Sequence, residues 1–450
     1  MNTIRRFTRR GFLKGSAGAL VGLGTGASTA WQLASASTAR AAGRTAGANE
    51  RLVFGLIGVG GMGSGHLGRL IGFAEAENIE VAGVCDVYRR RVNAAAQRAG
   101  CKAYADYRKL LEDKSIDAVV IATPDHWHFK NAADALDADK HVYVEKPMVH
   151  TIDQIFSLVG RSRRKRELAV QVGPQGTGSW QWWSSNAQIS RGLIGDVLWS
   201  QASAARNSRD GEWNYRIDPN AGPHATGDDY IDWDMWLGHA FDCAPKTEWN
   251  PEHFFRFRKY RAYSGGIATD LFFHSLAPLL LAIEGPQGAA PLRVSAAGGI
   301  YVQKDGRDVP DTSVVTIDYP GEHTIVLAGS MANATGLPTM IRGQHGTIVD
   351  QTVTMEKPWQ DEFHALSGGE DTVTLTPPDG WDEARRGGTE GHMLNFIDVI
   401  RGRQNQLNCS IELGAATQLG ITLGVLAYDR QQTLLWDTYD RKIVTAPTPS

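Results

Sequence analysis

The sequence predicts an α/β fold in two units, a helix-covered parallel sheet over residues 51–172 and a strand-rich unit over 173–440. Three observations carry this reading. The apolar run Leu52-Val53-Phe54-Gly55-Leu56-Ile57 leads directly into a glycine turn, Gly58-Val59-Gly60-Gly61-Met62-Gly63. Further continuous apolar runs at Ile79–Cys85 and Asp117–Ala122 have strand length, as parallel strands buried on both faces do. Beyond residue 172 the runs alternate instead, which suits hairpin strands with one covered face.

Residues 1–39 precede these units and read as an export leader. The basic residues Arg5, Arg6, Arg9, Arg10 and Lys14 are followed by an uncharged stretch over 15–39 that Gly, Ser and Thr dilute too strongly for a lasting membrane span. Thr8-Arg9-Arg10-Gly11-Phe12-Leu13-Lys14 resembles a twin-arginine signal, which implies export of a folded chain by the Tat translocase and removal near Ala39. Residues 40–50 form a polar linker.

In the first unit the glycine turn carries the clearest chemistry. Its Gly58, Gly60 and Gly63 stand in G-x-G-x-x-G spacing, with Gly61 and Met62 between them. This spacing permits a tight turn, close approach of backbone to a pyrophosphate and a helix N-terminus aimed at the phosphates. Asp86 ends the second strand 23 residues past Gly63, where a carboxylate accepts hydrogen bonds from an adenosine ribose. It favours NAD over NADP, while Arg89, Arg90 and Arg91 keep a 2′-phosphate, and so NADP, in play. After the strand at 117–122, Thr123-Pro124-Asp125-His126-Trp127-His128 forms a turn over which a dinucleotide passes, making Thr123, Pro124 and His126 cofactor candidates. His126 and His128 read more readily as structural. Lys146, in Glu145-Lys146-Pro147, stands after another strand, and the following proline holds it extended and aimed at the sheet edge.

These segments, with Asp106-Tyr107 and GGIATDLFFH at 265–274, resemble the glucose-fructose oxidoreductase and inositol dehydrogenase (Gfo/Idh/MocA) family over roughly residues 50–440. The resemblance implies a Rossmann dinucleotide-binding domain followed by an α+β domain with a large open, mostly antiparallel sheet. It also implies a catalytic Lys146, a substrate-handling pair Asp270 and His274 with His274 as acid or base, and Glu145 beside the nicotinamide ribose. Gln175 falls on the cofactor side of the same site. Two departures stand out: Leu271-Phe272-Phe273 fills the interval where close relatives carry Trp-Gly, and Gly176-Thr177 replaces a frequent arginine.

In the second unit, strands are expected at 196–204, 292–296, 313–319 and 324–328. Residues 205–264 read as a long ordered insertion around the pocket, with Trp233 and Trp236 mainly structural. Its polar residues Arg206, Asn207, Arg258 and Tyr263 join Lys146, Asp270 and His274 as substrate-binding candidates. Helices are expected around 393–400 and 412–428, and 441–450 reads as a tail.

Composition narrows the function. Residues 1–44 hold seven of the 46 basic residues and none of the 49 acidic ones, which leaves the rest of the chain at −10. Such a body argues against a nucleic-acid partner. Cys85, Cys101, Cys243 and Cys409 lack the spacing of a metal site, and no metal is expected. Outside the cytoplasm no nucleotide pool reloads an exchanging dehydrogenase. The expected activity is therefore a sugar oxidoreductase that retains its nicotinamide dinucleotide. The alternatives are a glycosidase, lyase or epimerase working through transient sugar oxidation, and a non-catalytic carbohydrate-binding protein. The family implies a homodimer or homotetramer, and the leader a periplasmic or other extracytoplasmic location.

Overall fold

The computed structural model describes residues 51–444. The expected twin-arginine leader, cleavage site and linker, and residues 445–450, lie outside the described residues.

The first sheet holds β1 (Leu52–Ile57), β2 (Ile79–Cys85), β3 (Lys102–Tyr104), β4 (Ala118–Ile121), β5 (His141–Val144) and β6 (Val170–Val172). All pairs are parallel and the order is β3-β2-β1-β4-β5-β6. The strand order reverses between β1 and β4, so a crevice opens at their carboxyl ends, where doubly wound sheets bind ligands. The continuous apolar runs are explained by cover on both faces: Phe54, Leu56, Val120 and Tyr143 are all inaccessible to solvent. Part of that cover comes from far along the chain. Helix Gly388–Ile400 packs its Phe396 edge-on against Phe54 and Tyr143, with ring centroids 6.5 and 5.9 Å apart.

The second sheet has ten strands: β7 (Val197–Ala205), β8 (Arg293–Gly299), β9 (Thr312–Tyr319), β10 (His323–Ser330), β11 (Met340–Gly343), β12 (Gly346–Val349), β13 (Thr352–Met355), β14 (Thr372–Thr374), β15 (Leu434–Asp437) and β16 (Lys442–Val444). Only the β7–β10 pair among them is parallel. Alternation sets the faces: Ile325 and Leu327 are buried, whereas Thr324, Val326 and Ala328 are half-buried. Helices Phe272–Glu284 and Ile411–Arg430 cover the buried face. The latter is long and apolar enough to cross a bilayer, but most of it is buried within the protein. Within the stretch read as a tail, Lys442–Val444 is instead an edge strand paired with β15.

The 205–264 insertion is ordered by aromatic packing rather than by long elements. Trp233 and Trp236 stack 4.7 Å apart, and Phe254 and Tyr263 close on Trp236. The cluster includes Tyr88 of the first unit.

Candidate active site

The glycine turn has the geometry its spacing predicts. Gly58 holds a φ of +85°, and a Cβ there would meet the Ala122–Thr123 backbone at 2.7 Å. A Cβ on Gly63 would fall 1.9 Å from the Gly58 carbonyl oxygen. β1 therefore touches helix Gly61–Phe73 and the β4 turn at a distance only glycine permits. At Gly61, on the helix N-terminus, a Cβ would meet nothing within 4 Å, and Gly60, Gly61 and Met62 border open space. Asp86 fastens this turn by accepting the N–H groups of Val59 and Tyr88, each at 2.9 Å.

Beside the turn lies a cavity of about 550 Å³. Gly58, Gly60, Gly61, Met62, Asp86, Thr123 and Pro124 line it, as the sequence predicts. The open helix N-terminus, the carboxylate and the volume suit a dinucleotide's phosphates, ribose and base. His126 does not reach this cavity. Its ring is buried between Trp236 and Tyr263, with Nε2 2.9 Å from the Trp236 carbonyl oxygen, because it points from the first turn of helix Asp125–Asp137 toward the insertion. Trp127 and Asn131 from the same helix do line the cavity. Sequence reasoning passed over them, although their i,i+4 spacing puts both on one helix face. The three arginines divide. Arg89 lies over the Tyr230 ring and Arg90 pairs with Asp218 and Asp229, whereas Arg91 faces the cavity.

The second group of residues gathers at the end of β5. The Lys146 ammonium donates to Asp270 Oδ1 at 2.7 Å and to the Asp270 carbonyl oxygen at 2.6 Å. Arg258 Nε donates to the same Oδ1 at 3.1 Å, and the Trp213 indole donates to Oδ2 at 3.3 Å. Burial pushes the Asp270 carboxyl up, but the Lys146 and Arg258 cations outweigh it and hold the group far below the usual carboxylate range. Next to Lys146, Glu145 accepts from Gln175 at 3.2 Å and lies 2.8 Å from His66 Nε2. Burial raises Glu145 too, and His66 with Lys146 more than reverses this.

Asp270 makes no hydrogen bond to the His274 ring. Asp270 closes the short helix Ile267–Asp270, and His274 lies in the first turn of the next helix, Phe272–Glu284. The Asp270 oxygens are taken by Lys146, Arg258 and Trp213, and among the described residues the His274 ring makes no hydrogen bond. It is exposed. Protein atoms still crowd it closely enough that lost hydration, followed by repulsion from Lys146, pushes its pKa down to about 4. Gly266 permits this arrangement: its φ is +67°, and a Cβ would sit 2.6 Å from that of Val309.

The remaining substrate candidates separate. Arg206 is exposed, bonded to Glu212 at 2.8 Å and close enough to His274 to repel its charged form. Asn207 is exposed, and its backbone bridges to Ala332. Tyr263 is buried, with its hydroxyl 3.0 Å from His253 Nδ1, so it is a core residue of the aromatic cluster rather than a pocket wall. Arg258 lines the dinucleotide cavity while holding Asp270, and thus joins the two halves of the site.

Comparison with known proteins agrees with this geometry. Residues 52–173 match the model of an oxidoreductase family with an NAD-binding Rossmann fold, GFO_IDH_MocA. Inositol 2-dehydrogenase of Salmonella typhimurium is 33% identical over 121 residues, which is 26% of this chain and 35% of that protein. Glycosyl hydrolase family 109 protein 2 of Shewanella sp. strain ANA-3 is 31% identical over 216 residues, 44% of this chain and 46% of that protein. The chain thus spans less than half the length of these curated relatives. Among solved structures, an NAD-binding protein from Listeria innocua has a TM-score of 0.57 at 22% identity, covering 86% of this chain and 97% of that one. A levoglucosan dehydrogenase in complex with NADH and levoglucosan has a TM-score of 0.60 at 17% identity, covering 85% and 99%. At these identities the structural likeness speaks for the fold: a Rossmann unit followed by a large, mostly antiparallel sheet.

Proposed function

We propose that this chain, whose residues 52–173 match the Gfo/Idh/MocA oxidoreductase family, oxidises a hydroxyl-bearing carbon of a sugar or sugar derivative while retaining its nicotinamide dinucleotide. The observation that carries this reading is the bonding of Lys146 to Asp270 at the sheet edge, with a hydrogen-bond-free His274 near enough to feel both charges.

When bound, nicotinamide accepts or returns a hydride. The chain's own residues manage the proton and the oxygen. Two of the three Lys146 N–H bonds are spent on Asp270, which fixes the ammonium and leaves the third for a substrate oxygen. There it stabilises the negative charge that develops as the hydroxyl loses its proton. His274 is neutral at pH 7 and has both ring nitrogens unengaged, so it can take that proton. A pKa of about 4 makes His274 a weak base, but the cation that depresses it also acidifies the bound hydroxyl. Proton donor and acceptor therefore shift together. Returning the hydride to a second carbonyl closes the cycle without nucleotide exchange, as the twin-arginine leader and a periplasmic site of action require.

A second reading is favoured by the similarity to glycosyl hydrolase family 109 proteins. In it the sugar is oxidised only transiently, and the hydride returns to the same molecule after elimination, cleavage or inversion. One experiment separates the two: bound-nucleotide absorbance is followed through a single turnover with mono- and disaccharides while product masses are recorded. Reduction by one sugar and reoxidation by another supports the lead reading. Transient reduction with cleavage or inversion of one sugar supports the second. Sugar binding with no absorbance change across the panel favours a non-catalytic protein.

A further inference from the structure

We infer that the segment from Trp213 to Arg258 is a second wall of the dinucleotide site, latched shut over it, so that nucleotide leaves only when this segment lifts. The inference rests on the reading of a retained nucleotide and names the part of the chain that retains it.

In a doubly wound sheet the crevice at the strand ends has one floor and an open roof. Here the roof is built. Across the 550 Å³ cavity from Gly60, Gly61 and Asp86 stand Tyr215, Phe254, Phe255, Phe257 and Arg258. Aromatic faces beside guanidinium groups suit a ligand that combines a purine with phosphates. Tyr215 is the informative member. Its side chain borders the cavity and is 54% exposed, although its carbonyl is pinned by Arg256 Nε at 2.7 Å. The ring therefore stands where a ligand filling the cavity would meet it.

Several contacts tie the segment to the first unit. The Arg89 N–H donates to the Tyr230 carbonyl at 3.1 Å and the Asp232 N–H to that of Val87 at 3.0 Å. Arg90 pairs with both Asp218 and Asp229, the Tyr88 hydroxyl donates to Asp218 at 3.1 Å, and Asn93 donates to Asp228 at 2.7 Å. On the far side of the cavity, the Trp127 indole donates to the Trp236 carbonyl at 2.7 Å. The Arg90 cluster is solvent-exposed, so salt screens it, whereas the contacts of Trp213 and Arg258 with Asp270 are sheltered. The latch can thus open at the Arg90 end without disturbing Asp270.

The test uses the full chain loaded with NADH and chased with excess NAD, reading the loss of bound-NADH fluorescence. Arg90→Ala and Tyr215→Ala, each confirmed folded by circular dichroism, are expected to release NADH on the order of tenfold faster than wild type. Added salt should accelerate release from wild type but not from Arg90→Ala. Bound nucleotide should also protect 213–258 from limited proteolysis. Unchanged release in both variants, with wild type staying loaded, overturns the latch and leaves retention standing. Wild type that empties as fast as the variants overturns latch and retention together. Equal cleavage of the segment with and without nucleotide overturns the second wall.

Discussion

Lys146 and Asp270 meet twice: the ammonium bonds both the carboxylate, at 2.7 Å, and the main-chain carbonyl, at 2.6 Å, of the same residue. The two residues lie 124 positions apart and belong to different sheets' surroundings, so this contact joins the dinucleotide unit to the substrate side. Its energetics are asymmetric. Removing Lys146 leaves Asp270 bonded to Arg258 and Trp213, whereas neutralising Asp270 leaves two cations facing each other in a buried place.

From this asymmetry Lys146→Met should fold with a near-normal melting temperature while slowing hydride transfer by about 10²–10³-fold, the usual scale for losing a charge-stabilising donor. Asp270→Asn should be the less stable variant, by ~3–5 kcal/mol, because it unbalances buried charge. Thermal melts and single-turnover rates on both check this. The opposite stability order would refute the charge assignment.

His274 should set the acid limb of the rate profile. With its pKa pushed down to about 4 by lost hydration and Lys146, the neutral base persists well below the ordinary imidazole value near 6.5. The pH dependence of kcat/KM is expected to fall below about pH 4, with no break near 6.5 from this residue, and His274→Asn should cost about 10²–10⁴-fold. A limb at 6.5 that vanishes in His274→Asn would show that the ring is better hydrated than its surroundings imply.

How much of this was legible in the sequence depends on the range of the forces involved. The glycine turn, Asp86 and the apolar strands are local: spacing and periodicity determine them, and each lies where expected. The grouping of Lys146, Asp270 and His274 rests on family resemblance, and its internal bonding is not local, since nothing near Asp270 announces that Arg258 and Trp213 will claim its oxygens. Tyr263, and His126 as a cofactor candidate, fall outside the pocket for a related reason, and His126 has the structural place its other reading expects. Their polar atoms suit a pocket, but the aromatic faces of Trp236 and Phe254 bury them in a cluster assembled from three distant segments. The cover of the first sheet by Phe396 is equally non-local.

Acid should destabilise the protein through its buried imidazoles. Burial lowers His126 to about 3 and His392 to about 4, in each case the leading cause. Their native pKa values lie below the unfolded one, so the unfolded state binds more protons as pH falls. The stability is complete above about pH 6.5 and is lost progressively down to the folded values. For a ring moved from 6.5 to about 4 this amounts to ~3 kcal/mol. Urea melts at pH 7 and pH 5 should show a lower midpoint at pH 5. His392→Gln should flatten that dependence, and an unchanged slope would refute the assignment.

Nucleotide choice should turn on Asp86. Its carboxylate already accepts the Val59 and Tyr88 N–H groups yet still borders the cavity, with Arg91 nearby. Asp86→Asn retains one acceptor for the turn while removing the charge that repels a 2′-phosphate. NAD should then bind about tenfold more weakly, the value of a charged hydrogen bond, with NADP weakened less. Titration of nucleotide-stripped protein measures both. Equal losses would mean that Asp86 acts only by holding the turn.

Export, proposed from the leader, would tie the chemistry to its compartment, and it is open to a direct test. Arg9 and Arg10 lie in the motif Thr8-Arg9-Arg10-Gly11-Phe12-Leu13-Lys14, whose paired guanidinium groups lysine does not reproduce. Arg9→Lys with Arg10→Lys should leave a folded precursor in the cytoplasm, about 39 residues longer than the mature chain. Where it is trapped, the protein should still bind nucleotide, because residues 52–173 are intact. Nucleotide recovered from both the trapped precursor and the exported protein would mean that loading precedes export, as an enzyme with no external supply requires. Nucleotide found in the precursor but absent from active exported protein would mean instead that turnover draws on nucleotide from outside, and the closed redox cycle would fall. Normal export of the double variant in cells lacking the Tat translocase would remove the reason for expecting such a cycle.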